Sequence, residues 1–112
     1  MRYDLLIKDG TVVDPSQGLN AVKDVALDAG KVAAVEDSIP ADSAREILDA
    51  KGLLVVPGFV DLHVHAFWGA STYGIDADAS NLAKGVTTAL DAGSAGALTF
   101  PAFRRHTIDR AD

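Results

Sequence analysis

The sequence predicts an α/β fold, and two patterns along the chain support this. Up to Val56, short apolar runs alternate with turn residues, which is typical of a small β layer. After Pro57-Gly58 the order becomes strand, loop, helix, strand, which indicates a parallel sheet or a (β/α) barrel. We therefore expect two regions, residues 1–56 and 57–112.

The first region is predicted to contain two hairpins and a further pair of strands. In DLLIKDGTVVD, Asp9-Gly10 suits the positive-φ positions of a tight turn, and in DVALDAGKVAAVED a turn is predicted at Ala29-Gly30. The segment PSQGLN between them is predicted to be a looser connection. The polar stretch SIPADSARE is predicted to be a loop before strand character resumes in ILDAKGLLVV.

The second region begins a repeating β/α pattern. Its predicted elements are, in order, the strand FVDLHVH, the loop AFWGASTYGI, the helix DADASNLAKG, the strand VTTALD, the loop AGSAGAL and a second helix that starts in TFPAFRRHTIDRAD. Asp76 or Asp78 can cap the first helix, Gly85 can end it in a left-handed conformation, and Thr99 can cap the second helix. Twenty residues from Ala66 to Gly85 are enough for a parallel crossover connection.

Composition and charge exclude several classes of function. The formal net charge is −6, so a basic surface for a nucleic acid backbone is not expected. The absence of cysteine leaves His, Asp, Glu and Lys as metal ligands. The start MRYDLLIKDG is too polar for a signal peptide, and the longest apolar stretch, Leu53 to Val60, is too short to cross a bilayer. We expect a cytoplasmic protein that contacts neither nucleic acid nor membrane.

Two of the three histidines, His63 and His65, are one residue apart in the strand FVDLHVH. Alternate residues of a strand share a face, so both imidazoles point the same way, together with Asp61. Their Cβ atoms are then about 6.6 Å apart, and both rings can converge on one cation at about 2.0–2.1 Å. The pair ends a predicted parallel strand, where barrel enzymes place catalytic residues, and this favours a metal site. The alternative is two ordinary strand residues satisfied by backbone or water.

These residues also carry a resemblance to a known family. The run GLLVVPGFVDLHVH, which follows a β layer beginning DLLIKDGTVVD, resembles the opening of the amidohydrolase superfamily of metal-dependent hydrolases. The continuation AFWGASTYGIDAD and GVTTALDAGSAGALTFPAFRRH is similar to the amidohydrolase/deacetylase group, which is related to the dihydroorotases. The resemblance covers essentially the whole chain.

The resemblance implies a composite architecture. An N-terminal β-sandwich portion is followed by the first two β/α units of an incomplete (β/α)₈ TIM barrel, whose first strand ends in His63-x-His65. Both histidines would bind a divalent metal, most often zinc, with one or two ions in the complete enzyme. The remaining ligands and the general base of the family lie beyond the 112 residues, so we expect no catalytic residue in this chain. We expect a small-molecule substrate, with a homo-oligomer of the complete protein left open.

Two aspartates and three aromatic residues are further candidates for the same site. Asp61 lies on the histidine face and could accept a hydrogen bond from an imidazole N–H, or could pair with a residue at the base of the barrel. Asp91 ends the second barrel strand and could contribute to the pocket or cap the following turn. Trp68, with Phe67 and Tyr73, could line an acyl pocket or only cover the top of the barrel.

We therefore predict a fragment of a deacetylase-like, metal-dependent hydrolase that acts on a C–N bond or an acyl ester of a small substrate. One alternative is a dihydroorotase-type cyclic amidohydrolase with the same fold and another substrate. A second alternative is a noncatalytic β module or a partner fragment. Two histidines fall short of the three protein ligands usual for catalytic zinc, so we expect the 112-residue chain alone to be inactive.

Overall fold

The computed structural model describes residues 2–111, and the chain divides into two compact units, Met1–Pro57 and Gly58–Asp112. Together they form a mixed α/β structure that is mostly strands. The first unit is a five-stranded sheet in the order β3-β2-β1-β4, with β5 also paired to β1. Its strands are β1 (Tyr3–Asp14), β2 (Leu19–Asp28), β3 (Lys31–Glu36), β4 (Ala44–Asp49) and β5 (Leu54–Val55).

The predicted hairpin at Asp9-Gly10 is wrong, because β1 continues through both residues. Asp9 does adopt a positive φ of 59°, but there it forms a bulge in a single long strand. The pairing with β2 shifts between Ile7 and Gly10, so two residues of β1 lie opposite one residue of β2. A residue able to adopt positive φ suits a turn and a bulge equally well, and the antiparallel partner β2 selects the bulge.

The chain reverses instead at the segment predicted to be a loose connection. A 3₁₀ turn at Pro15–Gln17 joins β1 to β2, and the Asp14 carboxylate caps it by accepting from the Ser16 backbone N–H at 3.0 Å. Gly18 follows in the left-handed region with φ 64°. The second predicted hairpin is confirmed, since β2 and β3 pair up to a turn at Ala29-Gly30.

Asp24 satisfies the polar groups around the bulge. Its carboxylate accepts hydrogen bonds from the backbone N–H of Asp9 at 2.9 Å and of Ile39 at 2.8 Å, and from the Lys8 ammonium group at 2.5 Å. Asp24 is 1% exposed, and a buried carboxylate needs such partners to remain charged. The core beside it consists of Tyr3, Leu6, Ala26, Ile39 and Ala44.

The second unit contains a parallel pair of strands and two short helices. Its elements are β6 (Phe59–Val64), α1 (Ala77–Ser80), β7 (Val86–Asp91) and α2 (Phe100–His106). The parallel pairing of β6 with β7 confirms the predicted crossover. Asp76 caps α1 by accepting from the Ala79 N–H at 3.1 Å, and Gly85, with φ 81°, ends the 3₁₀ turn that follows.

The helices of the second unit cover a small apolar cluster formed by Val64, Ala66, Phe67 and Phe103. Thr99 occupies the N-cap position of α2, but its hydroxyl accepts from the Gly96 N–H at 3.0 Å and caps no N–H of the helix. Within residues 2–111, no helix is both long enough and apolar enough to span a membrane.

Candidate metal centre

The two faces of β6 have different surroundings at its carboxyl end. Val64 and Ala66 are 6% and 7% exposed and belong to the apolar cluster. His63 is exposed and His65 is half-buried, and their rings lie together with centroids 5.5 Å apart and planes inclined at 63°. The alternation along the strand thus brings both imidazoles to one place, beside the carboxyl end of β7.

This spacing fits two ligands of one cation. Two imidazoles that bind a metal in tetrahedral geometry at about 2.0–2.1 Å have ring centroids about 5 Å apart. The observed 5.5 Å is close to that value. Among residues 2–111 no group of three or more His, Cys, Asp or Glu side chains could hold a metal ion. The histidine pair alone therefore falls short of a catalytic zinc site, which would need at least one more protein ligand.

His65 has a hydrogen-bond partner in the loop that follows β7. Its Nδ1 lies 3.0 Å from the hydroxyl oxygen of Ser94, 29 positions along the chain. The ring of Tyr73 is also near, with its centroid 6.2 Å from that of His65. The sequence contains no signal that singles out Ser94, because its role depends on two strand ends being adjacent.

Asp91 organises the loop that carries Ser94. Its carboxylate accepts from the backbone N–H of Ser94 at 2.6 Å, of Gly93 at 3.0 Å and of Ala66 at 2.7 Å. Burial raises the pKa of Asp91, but these donors and the Ser94 hydroxyl outweigh burial and hold the pKa below its ordinary value. Asp91 thus caps the turn, as one of its two predicted roles requires, and also ties β7 to the residue after His65.

The other predicted site residues lie around the pair in different ways. Asp61 accepts the backbone N–H of His63 at 3.0 Å, and a contact with an imidazole stays a prediction. Trp68 and Tyr73 are 68% and 76% exposed, so both are accessible to a ligand. Phe67 packs in the apolar cluster against Phe103, with ring centroids 5.1 Å apart, and so serves the core.

Among curated proteins, the chain is similar to hydrolases of two kinds. It is 49% identical over 65 residues to a dihydroorotase from Elusimicrobium minutum, which covers 58% of this chain and 14% of that protein. It is 42% identical over 80 residues to a deacetylase from Agrobacterium fabrum, which covers 71% of this chain and 20% of that protein. The chain therefore spans a fifth or less of the length of these relatives.

Solved structures show the same likeness in three dimensions. A crystal structure of a dihydroorotase superposes with a TM-score of 0.81 at 32% identity, over 96% of this chain and 28% of that one. The N-acyl-D-glutamate deacylase from Bordetella bronchiseptica, solved with zinc and a phosphonate inhibitor, gives a TM-score of 0.62 at 28% identity, over 80% and 18% of the two chains.

The match to a family model includes the histidine pair and the loop after β7. Residues 46–104, just over half of the 112, match the model of the amidohydrolase family. The matched segment contains β6, β7 and the Asp91–Ser94 turn, which are the parts that build the candidate centre. The chain belongs to the amidohydrolase family.

Proposed function

We propose that this chain supplies part of the active site of a metal-dependent hydrolase that cleaves a C–N bond of a small substrate. The observation that carries the proposal is the approach of the His63 and His65 rings on one face at the carboxyl end of β6. Family membership and the deacetylase, deacylase and dihydroorotase relatives support the same reaction class.

The chemistry assigns separate tasks to the residues of the site. His63 and His65 would hold a divalent metal, proposed to be zinc, because neutral imidazoles are good ligands for it. When bound, such a metal lowers the pKa of a water molecule to about 7 and polarises a carbonyl group. Trp68 and Tyr73 are exposed in the loop after β6 and offer aromatic surface to the acyl part of a substrate.

The proposal includes the two folds expected from the sequence, a β-sandwich for the first unit and a (β/α)₈ barrel for the second. Both strands of the parallel pair leave large apolar side chains uncovered, which a continued sheet would bury. These exposed side chains are Phe59, Val60, Leu62 and Leu90. We infer that β6 and β7 are the first two strands of a (β/α)₈ barrel, and that the five-stranded sheet is one part of a β-sandwich.

The substrate class has two candidates. A deacetylase-like reaction on an acylated amine is supported by the Agrobacterium relative and the Bordetella deacylase. A cyclic amide is the alternative, supported by the dihydroorotase relatives. A small-molecule substrate, a homo-oligomer of the complete protein and a cytoplasmic location are further parts of the proposal.

The test is metal content and hydrolysis in the complete protein. We expect about one equivalent or more of divalent metal by elemental analysis, and loss of most of it in the His63→Ala and His65→Ala variants, because each removes one ligand. His106→Ala is the matched control, since His106 is an exposed residue of α2. Turnover of N-acetyl amino acids but not of dihydroorotate would favour the deacetylase class, and the reverse would favour the cyclic amidohydrolase.

A protein that binds no metal, or one that keeps its metal in both histidine variants, would contradict the proposal. Hydrolysis that persists after complete removal of metal by a chelator would contradict it as well. If the protein binds no metal, the noncatalytic module would become the better interpretation of the chain.

A further inference from the structure

Ser94 contacts both an imidazole and a carboxylate. Its hydroxyl oxygen is 3.0 Å from Nδ1 of His65, and its backbone N–H donates to the Asp91 carboxylate at 2.6 Å. Both Ser94 and His65 are half-buried, so water competes with these contacts less than it would at an exposed site. The three groups form a short chain that ends at a candidate metal ligand.

The contact with Ser94 distinguishes the two nitrogens of the His65 ring. Nδ1 faces the Ser94 hydroxyl, and a hydroxyl oxygen can accept a hydrogen bond from an N–H group. A histidine that binds a metal donates its other ring N–H to an acceptor of this kind. With the proton on Nδ1, the lone pair lies on Nε2, which can then bind a metal.

We propose that Ser94 is a positioning residue that holds His65 in the Nδ1–H tautomer and thereby presents Nε2 as the metal ligand. The proposal rests on the proposed function and deepens it, since it assigns a role to a residue that binds neither metal nor substrate. The geometry that carries it is the 3.0 Å contact across 29 positions of the chain.

Asp91 keeps Ser94 in place relative to the ring. The carboxylate holds the Ser94 N–H at 2.6 Å on one side and the N–H of Ala66, the residue after His65, at 2.7 Å on the other. The backbone that carries the imidazole and the backbone that carries the hydroxyl are thus fixed by one side chain. This anchorage limits the freedom of the His65–Ser94 contact before any metal binds.

The test compares Ser94→Ala, Ser94→Thr and a control in the complete protein. We expect Ser94→Ala to lower the affinity for Zn²⁺ by about 10-fold, measured by competition with a chelator, which is the low end of what loss of such a partner costs. Ser94→Thr keeps the hydroxyl and should restore affinity to within about twofold. Ser80→Ala is the matched control, because among residues 2–111 the half-buried Ser80 takes part in hydrogen bonding only through its backbone.

A second readout reports on the ring itself. In metal-free protein with ¹⁵N-labelled histidine, the His65 nitrogens should show the Nδ1–H tautomer in the wild type and in Ser94→Thr. Ser94→Ala should shift the signals towards a mixture of tautomers. The visible absorption bands of the Co²⁺ form should change in Ser94→Ala and not in Ser80→Ala, since they respond to ligand geometry.

The outcomes separate this inference from the proposed function. If Ser94→Ala keeps wild-type Zn²⁺ affinity and the Nδ1–H signal while His65→Ala loses metal, the role of Ser94 is overturned and the metal site stands. An Nε2–H tautomer in the wild type, or a Ser94→Thr variant as weak as Ser94→Ala, overturns it too. If His65→Ala binds metal like the wild type, the proposed function itself fails.

Discussion

The two units of the molecule each contain a carboxylate held by several donors, but the two networks end differently. In the first unit, Asp24 accepts from two backbone N–H groups and from the Lys8 ammonium group, and is 1% exposed. In the second unit, Asp91 accepts from three backbone N–H groups that follow β6 and β7, and one of these belongs to Ser94. The first network includes a cation that balances its charge, whereas the second leads to the ring of His65.

This difference separates a structural network from one that can serve a ligand. All three donors to Asp24 hold strands and loops of the same sheet, so the network is complete without further groups. The Asp91 network continues through Ser94 to a half-buried imidazole that has a second nitrogen available. Similar carboxylate chemistry thus stabilises a bulge in one unit and orients a candidate metal ligand in the other.

The largest effect is expected from removing Asp24, the centre of the network in the first unit. Asp24→Ala leaves Lys8 without its carboxylate partner, with only the Ile39 carbonyl oxygen as acceptor, and leaves two backbone N–H groups without an acceptor. It should lower the free energy of unfolding of the first unit by about 3 kcal/mol. Hydrogen exchange of the β1 and β2 amides measures this. Asp28→Ala, an exposed aspartate on the same strand, should change exchange little; equal effects of the two variants would show that the network does not stabilise the bulge.

A smaller effect is expected from Asp91→Asn. The amide retains one acceptor oxygen, so one or two of the three backbone N–H groups lose a partner, at a cost of about 1–2 kcal/mol. Unlike Asp24→Ala, this change should also weaken Zn²⁺ binding, because Ser94 is no longer held against His65. Asp109→Asn, at an exposed ion pair with Arg104, provides the control. Lower stability with unchanged Zn²⁺ affinity would mean that both networks are purely structural.

The smallest effect is expected from mild acid. Burial raises the pKa of Asp24, but hydrogen bonds from Lys8, Ile39 and Asp9 outweigh burial and leave the pKa below its ordinary value. A carboxyl whose pKa is lowered by folding contributes stability above its unfolded pKa, and that contribution is lost as pH falls through the folded value. Denaturation midpoints should therefore hardly change from pH 7 to about 5 and fall below about pH 4. The fall should be shallower in Asp24→Asn, and a parallel fall in both proteins would exclude Asp24 as its source.

Local signals in the sequence were sufficient for several elements. The turn at Ala29-Gly30, the cap by Asp76 and the left-handed Gly85 each depend on residues within a few positions of one another. The alternation of β6 likewise places His63 and His65 on one face without knowledge of any other element. Such features follow from backbone conformation and side-chain chemistry over a short range.

Other features depended on partners far along the chain. Asp9-Gly10 has the residues of a tight turn, yet forms a bulge because β2 pairs with β1 on both sides of it and Asp24 accepts the Asp9 N–H. Ser94 meets His65 only because β6 and β7 run parallel and end at the same edge. No pattern within either segment indicates these contacts.

The sequence by itself therefore determined the division into β layer and β/α unit, the strand that carries the histidines and their common face. Only the tertiary structure decided which residues hold that face in place: Asp91, at the end of β7, and Ser94, in the loop after it. The physical reason is the sequence distance over which each effect acts. Periodicity and turn chemistry act over a few residues, whereas a hydrogen bond between strand ends requires the strands to have paired first.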